Sequence, residues 1–361
     1  MEIVSTELKD ILKKVEKGER LSSDDGIRLF NSKDIFSIGY MANIIRERKN
    51  GNIAYFVTNA HINYSNICVN RCQFCAFSKE KDDPGAYSMT IEDILKKGRN
   101  FLEQDITEFH IVGGLHPDLP FNYYLEMMTS LKKEFPEIHI QAFTAVEISH
   151  LSKIAGLSIR DTLLKLKEAG LGSIPGGGAE VFSSRVRENL CKEKIGKDEW
   201  LEVMKSAHEV GIKSNATMLY GHIETVKERV EHLVALRELQ DKTGGFQSFI
   251  PLAFHPKNTR LDNLSSTTGL DDLKTLAVSR IMLDNFPHIK AFWIMIGTKL
   301  AQVSLSFGID DIDGTVMEEK ITHSAGASTA EYISRNNLIR MIKEAGREPV
   351  ERDTLYNKIK N

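Results

Sequence analysis

The chain has 361 residues, with 47 Lys and Arg against 50 Asp and Glu and a formal net charge of −3 at pH 7. This balance gives no strongly basic surface, so composition favours no nucleic-acid partner. The longest apolar runs, such as residues 291–297, are far shorter than the roughly 20 residues that span a bilayer. The acidic N-terminus is not typical of a signal peptide. We therefore expect a cytoplasmic protein without a membrane partner.

The first 50 residues have a helical, amphipathic pattern. Within them, residues 21–25 have the features of a helix start, with Ser22 or Ser23 as the N-cap before acidic residues. From residue 51 onward, short apolar runs alternate with longer helical stretches. Strands are predicted near residues 54–63, 108–112, 139–144, 171–174, 213–219, 248–254, 290–296 and 309–313. Helices are predicted at residues 91–104, 123–134, 159–168, 200–210, 226–242 and 269–284.

Regular alternation of strands and helices indicates parallel pairing with right-handed crossovers. Eight such units over about 260 residues have the size of a closed TIM-type barrel. The sequence therefore predicts an α/β fold: a (β/α)8 barrel over residues 51–320. An N-terminal helical extension, residues 1–50, precedes it. A C-terminal helical segment, residues 321–361, packs on the barrel.

Three of the four cysteines lie within eight residues, directly after the first predicted strand. Cys68, Cys72 and Cys75 provide three ligands for a four-iron, four-sulfur (4Fe-4S) cube, whereas electron-carrying clusters usually have four. The remaining iron is open to S-adenosylmethionine (SAM), which chelates iron through its amino and carboxylate groups. Structural zinc would need a fourth ligand, for which His61 is the nearby candidate, but no second Cys pair exists. Cys191 is interpreted as a small buried residue.

Aromatic and glycine residues beside this motif are candidate SAM contacts. Phe74 precedes the last cysteine and would pack against adenine, or else fill the loop against the barrel. Gly113 and Gly114 follow the second predicted strand. Their unshielded backbone groups would bind the methionine end of SAM, or else mark a tight turn.

The triple glycine at residues 176–178 indicates close approach of backbone to a ligand, because three glycines carry a high entropic cost. No G-x-x-x-x-G-K-[ST] pattern accompanies it, which disfavours a nucleoside-triphosphate loop. Glu180 would point towards ribose hydroxyls or a substrate amine, or else pair with Arg185 or Arg187.

Several histidines and an acidic segment fall on loops that follow predicted strands. His116, His222 and His255 are each a substrate contact or a hydrogen-bonded structural residue. The acidic run at residues 310–320 lacks the spacing of a calcium loop. It is interpreted as the last rim loop, where carboxylates and Lys320 would orient a polar substrate, or as a solvated turn.

The Cys68-x3-Cys72-x2-Cys75 motif, followed by the barrel pattern, resembles the radical SAM superfamily. The segments that resemble its menaquinone-pathway group are residues 61–68, 112–117, 142–147, 175–180, 214–224 and 249–256. Three segments, at residues 253–256, 291–295 and 311–320, resemble the aminofutalosine synthases of that group. The dehypoxanthine futalosine cyclases differ in carrying Gln at the position of His255.

The resemblance implies that one electron from the reduced 4Fe-4S cluster splits SAM into methionine and a 5′-deoxyadenosyl radical. That radical adds to 3-[(1-carboxyvinyl)oxy]benzoate, and loss of bicarbonate gives 6-amino-6-deoxyfutalosine for menaquinone biosynthesis. SAM is a consumed co-substrate, and a reductase or a flavodoxin or ferredoxin is the expected electron donor. The alternative is the cyclase, which abstracts hydrogen. A non-catalytic metalloprotein is a third hypothesis, disfavoured because the Cys motif lacks a fourth ligand.

The resemblance also implies roles for particular residues. The three motif cysteines are the expected cluster ligands, Gly113 and Gly114 lie at the methionine end, and Glu224 lies near adenosine. No catalytic residue is assigned; the candidates are His116, His255, Glu180 and Lys320. A dicarboxylate substrate needs cations or hydrogen-bond donors, for which the candidates are His116, His255, Lys257, Asn258, Arg280 and Lys320.

Overall fold

The strands of the computed structural model, which describes residues 5–359, form two parallel sheets. The strands are β1 (Ile53–Val57), β2 (Asn59–Ile62), β3 (Glu108–Ile111), β4 (His139–Ala142), β5 (Ser173–Ile174), β6 (Lys213–Tyr220), β7 (Phe246–Ala253), β8 (His288–Ile289), β9 (Asp311–Gly314) and β10 (Glu348–Glu351). Strands β2 to β8 pair in chain order in one seven-stranded sheet. The second sheet has the order β10-β1-β9.

Helices fill the connections between the strands. They are α1 (Lys9–Lys17), α2 (Ser23–Asn31), α3 (Ile35–Asn50), α4 (Ile91–Phe101), α5 (Phe121–Glu134), α6 (Ala145–Ala155), α7 (Ile159–Glu168), α8 (Ser184–Leu190), α9 (Lys197–Glu209), α10 (Val226–Thr243), α11 (Gly269–Met282), α12 (Trp293–Ile296), α13 (Thr298–Ser304), α14 (Ile321–Ser324) and α15 (Arg335–Glu344), with 3-10 turns at Thr6–Leu8 and Leu102–Gln104. Over residues 5–359, no helix is both long enough and apolar enough to cross a membrane.

The seven-stranded sheet curls so that its two edges approach the same segment of chain. Isolated parallel bridges join Lys290 to Asp311 at one edge and Ala60 to Met317 at the other. The α/β fold with parallel strands is therefore confirmed. Strand β9, which the sequence predicted as the eighth barrel strand, contributes to closure through the bridge at Asp311 and through its pairing with β1. The sequence predicted a continuous barrel wall instead.

Three details differ from the predicted elements. The strand predicted at residues 54–63 is divided into β1 and β2 at Thr58. The strand predicted at 290–296 is wrong: β8 ends at Ile289, and the apolar run after it forms the single turn α12, because a short buried run fits either state. The C-terminal segment 321–361 contains helices α14 and α15 but also β10, which pairs with β1. The predicted domain limits at residues 50 and 320 stay predictions.

Side-chain caps determine where several of the helices begin. Ser22 is the N-cap of α2, as predicted, and forms a capping box with Asp25. Equivalent boxes begin α4, α6 and α10, where Thr90, Thr144 and Thr225 are the N-caps. A side-chain oxygen satisfies an otherwise free backbone N–H in each case, so the loop that precedes the helix ends at a fixed residue.

The acidic residues around β9 are each held by a different cation. Asp310 accepts hydrogen bonds from Arg280 and from His288 Nδ1, the latter at 2.6 Å. Arg352 Nε donates to Asp311 at 2.6 Å. Lys290 Nζ lies 3.1 Å from Asp313 Oδ1, and all three carboxylates are buried. The first part of the acidic run, residues 310–313, is therefore a set of paired interior charges and not a solvated turn.

Replacing Arg280 tests how far this pairing supports the barrel. We expect Arg280→Met to lower the free energy of unfolding by about 3 kcal/mol, because it removes the main cation from the buried Asp310 carboxylate. Arg99→Met is the matched control, because Arg99 makes only exposed contacts with Glu92 and Glu134. Denaturant unfolding of both variants measures the difference. Equal midpoints would contradict a stabilising role for the buried pair.

Candidate active site

A cavity of about 320 Å³ lies inside the curled sheet, beneath the loops that follow the strands. This volume is within the range of small-molecule sites, roughly 300–1,000 Å³. Its walls are largely apolar, with Val112, Leu219, Ile250, Leu252 and Phe292 among them. The polar lining residues come from the cysteine loop, from the strands and from the loops that follow the other strands.

The cysteine loop brings all three predicted cluster ligands to the cavity. Cys68, Cys72 and Cys75 line it, and each is a free thiol. Burial raises the pKa of the Cys72 thiol to about 12, so this thiol stays protonated unless a positively charged group binds it. Iron provides that charge, since metal ligands bind as thiolates.

Backbone contacts fix the shape of this loop. The N–H of Cys68 donates to Lys79 O at 3.1 Å, and the N–H of Gln73 donates to Leu190 O at 2.9 Å. Gln73 O in turn accepts from the N–H of Arg260 at 2.9 Å. The loop is therefore anchored to its own continuation at Lys79 and to segments that follow two other strands, β5 and β7.

The donor set fits a 4Fe-4S cluster better than a single metal ion. Within the described part of the chain, no three His, Cys, Asp or Glu side chains are arranged around one ion. A four-iron cube takes one thiolate on each of three irons, so its ligands do not converge on a single point. Three thiols on one wall of a cavity match that requirement.

Gly113 and Gly114 line the cavity beside the start of the cysteine loop. A Cβ on Gly114 would clash with the carbonyl oxygen of Ile67, so only glycine lets the loop lie against this strand end. Both N–H groups are engaged within the protein, that of Gly113 with Glu147 Oε1 at 3.0 Å and that of Gly114 with Ser65 O at 2.8 Å. The carbonyl oxygens are the backbone atoms suited to an ammonium group, although that of Gly114 also accepts from the Tyr64 hydroxyl at 3.4 Å.

Phe74 and Glu180 both line the cavity and are connected by Lys194, which the sequence did not single out. Lys194 Nζ lies 5.0 Å from the centroid of the Phe74 ring and 2.6 Å from Glu180 Oε1. The alternative pairing of Glu180 with Arg185 or Arg187 is wrong, because Arg185 binds Glu228 and Arg187 binds backbone carbonyls.

Glu224 is not among the residues that line the cavity. Its carboxylate accepts from Arg229 Nε at 2.8 Å and from the N–H groups of Gly221 and His222. Although burial favours its neutral form, the His222 hydrogen bond and the charge of Arg229 lower the pKa of Glu224 to about 2. The structure thus places Glu224 and His222 in a network that stabilises the loop after β6.

Three further candidates also lie off the cavity lining. His116 Nδ1 accepts from the N–H groups of Asp118 and Leu119 at 3.0 and 3.2 Å, which closes a turn. Arg280 is committed to Asp310. Lys320 begins α14 and is exposed. These residues serve as structural or surface groups in this conformation.

His255 does line the cavity. Its Nε2 is 2.9 Å from Met295 O, so one ring nitrogen is already engaged. Lys257 and Asn258, which follow it, are outside the lining; the Asn258 amide donates to Ser324 O at 3.0 Å. Of the predicted carboxylate contacts, only His255 reaches the cavity.

The cavity lining also includes polar strand-end residues that the sequence interpretation missed. His61, His110 and Gln141 are in register across β2, β3 and β4, and each is the second-to-last residue of its strand. Lys290 follows β8 directly. We call His61, His110, Gln141 and Lys290 the cavity floor. In sequence these residues sit singly inside apolar runs, and only register shows that they meet.

Family profiles match most of the chain. The profile of the radical SAM superfamily matches residues 62–236, and that of the CofH/MqnC C-terminal region matches residues 243–361. The first match contains the cysteine loop and both glycines. The second contains the strands that supply His255, Lys290 and Asp313.

Similar proteins span nearly the full chain. The aminodeoxyfutalosine synthase of Thermus thermophilus is 48% identical over 97% of this chain and 95% of its own length. That of Streptomyces coelicolor is 43% identical over 96% and 93%. A 5-amino-6-(D-ribitylamino)uracil–L-tyrosine 4-hydroxyphenyl transferase from Methanopyrus kandleri is 41% identical over 84% of each chain.

Solved structures share the fold. Methylornithine synthase superposes with a TM-score of 0.75 at 18% identity, covering 94% of this chain and 97% of that one. A maturase of the [FeFe]-hydrogenase gives 0.74 at 20% identity, covering 95% and 75%. With the three thiols on one cavity wall and relatives of high identity along the whole chain, this protein belongs to the radical SAM superfamily and, within it, to the proteins with a CofH/MqnC C-terminal region.

Proposed function

We propose that the chain catalyses the aminodeoxyfutalosine synthase reaction. In it, 3-[(1-carboxyvinyl)oxy]benzoate, SAM and water give 6-amino-6-deoxyfutalosine, methionine and bicarbonate. The observation that carries this proposal is the 48% identity to such a synthase over 97% of the chain. The cavity supports it, because its volume and apolar walls suit an aryl ring beside a SAM-sized ligand.

Cys68, Cys72 and Cys75 would hold the 4Fe-4S cluster, and Gly113 and Gly114 would offer carbonyl oxygens to the methionine ammonium group of SAM. When bound, the cluster and SAM supply a 5′-deoxyadenosyl radical for addition to the vinyl group. Phe74 would pack against adenine, and Glu180, held by Lys194, would accept from ribose hydroxyls, since both residues line the cavity.

The protein's own contribution is positioning and exclusion of water. A primary carbon radical reacts with any neighbouring C–H group, so the acceptor alkene must lie close to the radical carbon before it forms. Apolar side chains from β6 and β7, including Leu219, Ile250 and Leu252, cover this part of the cavity. They hold the ring by contact and exclude water from the space around it.

The proposed function also requires a one-electron donor, for which a reductase or a flavodoxin or ferredoxin is suited. The reducing cytoplasm is the compartment proposed for the chain. All four cysteines of the protein are free thiols, as expected where disulfides are rare.

Turnover by the iron-reconstituted protein under anaerobic conditions tests the proposal. With dithionite, SAM and 3-[(1-carboxyvinyl)oxy]benzoate, we expect a product that contains both the adenosyl group and the aryl ring, less one carboxyl group, by mass spectrometry. L-Tyrosine with 5-amino-6-(D-ribitylamino)uracil is the matched substrate pair of the similar methanogen enzyme. Coupling of that pair, with the benzoate unchanged, would overturn the assignment.

A cysteine variant tests the ligand set. We expect Cys72→Ala to lose most bound iron and the SAM-dependent change in the electron paramagnetic resonance spectrum, because the cube keeps only two protein ligands. Cys191→Ala is the control, since Cys191 is buried outside the cavity lining. If Cys72→Ala kept the spectrum of the unmodified protein, Cys72 would not be a ligand.

A further inference from the structure

The cavity floor defined above is built from strand residues and carries several hydrogen-bond donors. His61 and His110 stack at a centroid distance of 4.4 Å with an interplanar angle of 8°. The strand register aligns His61, His110 and Gln141 on the inner face of the sheet, and Lys290 reaches the same cavity from the opposite edge. Residues on strands hold their positions more firmly than residues on loops.

One ring nitrogen of His61 makes no hydrogen bond within the described part of the protein. Its side chain is 6% exposed, and its Nε2 has no hydrogen-bond partner among the described residues. A buried polar group without a partner costs about 1–3 kcal/mol. Burial, together with the neighbouring His110 and the charges of Lys97 and Lys290, lowers the pKa of His61 well below its usual value. The ring is therefore neutral and can present an N–H to the cavity.

Lys290 supplies the positive charge of the floor. Its side chain is buried, lines the cavity and contacts Asp313 through one of its three N–H bonds. Asp313 is the one hydrogen-bond partner of Lys290 Nζ among the described residues, which leaves the other N–H bonds for a ligand. Its charge acts on both His61 and His110, since it lowers the pKa of each.

The acidic groups that face the same cavity are already occupied. Asp313 is bound by Lys290. Glu319 accepts from the N–H groups of Ile321 and Thr322 at 2.8 and 2.9 Å and lies 3.1 Å from His323 Nδ1. These two carboxylates are therefore already paired, whereas Lys290 and the two histidines have N–H groups for a ligand. That balance suits an anion with several acceptor oxygens, of which a carboxylate is the obvious case.

We propose that His61, His110 and Lys290 bind the ring carboxylate of the aryl substrate, and so set which end of the substrate meets SAM. This inference rests on the proposed function. The vinyl ether is attached meta to the ring carboxylate, so the aryl ring separates the two groups, and the cysteine loop lies beyond the strand end that carries His61. Anchoring the carboxylate on the strands places the vinyl carbon at the loop end.

The test compares two ligands on reconstituted, SAM-loaded protein. One is 3-[(1-carboxyvinyl)oxy]benzoate, and the other is 2-phenoxyprop-2-enoate, which lacks only the ring carboxylate. Binding is measured by calorimetry with the oxidised cluster, and kcat and KM are measured with dithionite. The unmodified protein is expected to prefer the benzoate by roughly 10- to 100-fold, the value of hydrogen bonds to a charged group.

Four variants test the contributions of Lys290 and His61 to the cavity floor separately. Lys290→Met removes the cation, and Lys290→Met/Asp313→Asn removes it without leaving a buried acid unpaired. His61→Phe keeps the ring stack but removes the nitrogen, and His61→Gln restores an N–H near the position of Nε2. Lys205→Met is the control, because Lys205 makes only helix-surface pairs with Glu202 and Glu209.

We expect both Lys290 variants and His61→Phe to lose most of the preference for the benzoate, through a weaker Kd and a higher KM. His61→Gln should recover part of it. Iron content and dithionite-driven SAM cleavage should match the control, which separates this role from a folding defect.

Unchanged preference in all floor variants, with normal turnover, would overturn the inference and leave the proposed function standing. Floor-dependent binding of the benzoate without coupling to SAM would overturn the proposed function and support the floor assignment. Absence of benzoate binding by the unmodified protein would overturn both.

Discussion

The parallel register of the curled sheet is the constraint on which the site depends. Because β2, β3 and β4 pair without a shift, His61, His110 and Gln141 lie side by side, and the loops that follow all leave at the same edge. Parallel strands joined by helices place their carboxyl ends together. One set of backbone hydrogen bonds therefore creates both the donor floor and the rim that carries the cysteine loop. A change of one residue in that register would turn the floor side chains out of the cavity.

Interior charge is the second organising feature, and it is arranged by pairs. Asp310, Asp311 and Asp313 each have their own cation from a distant part of the chain. The carboxylates of the closing segment are thus neutralised locally, so they do not repel an anion in the cavity. Lys290 has two roles, since it stabilises the Asp313 carboxylate and also lines the cavity. The same residue connects closure of the sheet with the chemistry of the floor.

The sequence predicted the α/β fold, the alternation of strands and helices, the Ser22 cap and the loop of three cysteines, because each of these is a local pattern. It failed at residues 290–296, where an apolar run fits a strand or a helix turn equally well. Positions after strands placed His116 and Lys320 near the site, and the resemblance placed Glu224 there, but their side chains are held in turns and networks or lie on the surface. Lys194 and the floor residues were missed because their roles arise from pairing between segments far apart in the chain, which periodicity does not record. The resemblance to known families supplied the reaction, which composition and spacing alone did not.

The backbone anchors of the cysteine loop have a consequence for how the protein is made. The loop ends at Cys75, but it is hydrogen-bonded to Leu190 and, through Gln73, to Arg260. These partners leave the ribosome long after the thiols do. At about 5–20 residues per second, the delay between Cys75 and Arg260 is roughly 10–40 s. During that interval the cysteine loop lacks these backbone contacts, so its final shape is reached only after most of the barrel has been synthesised.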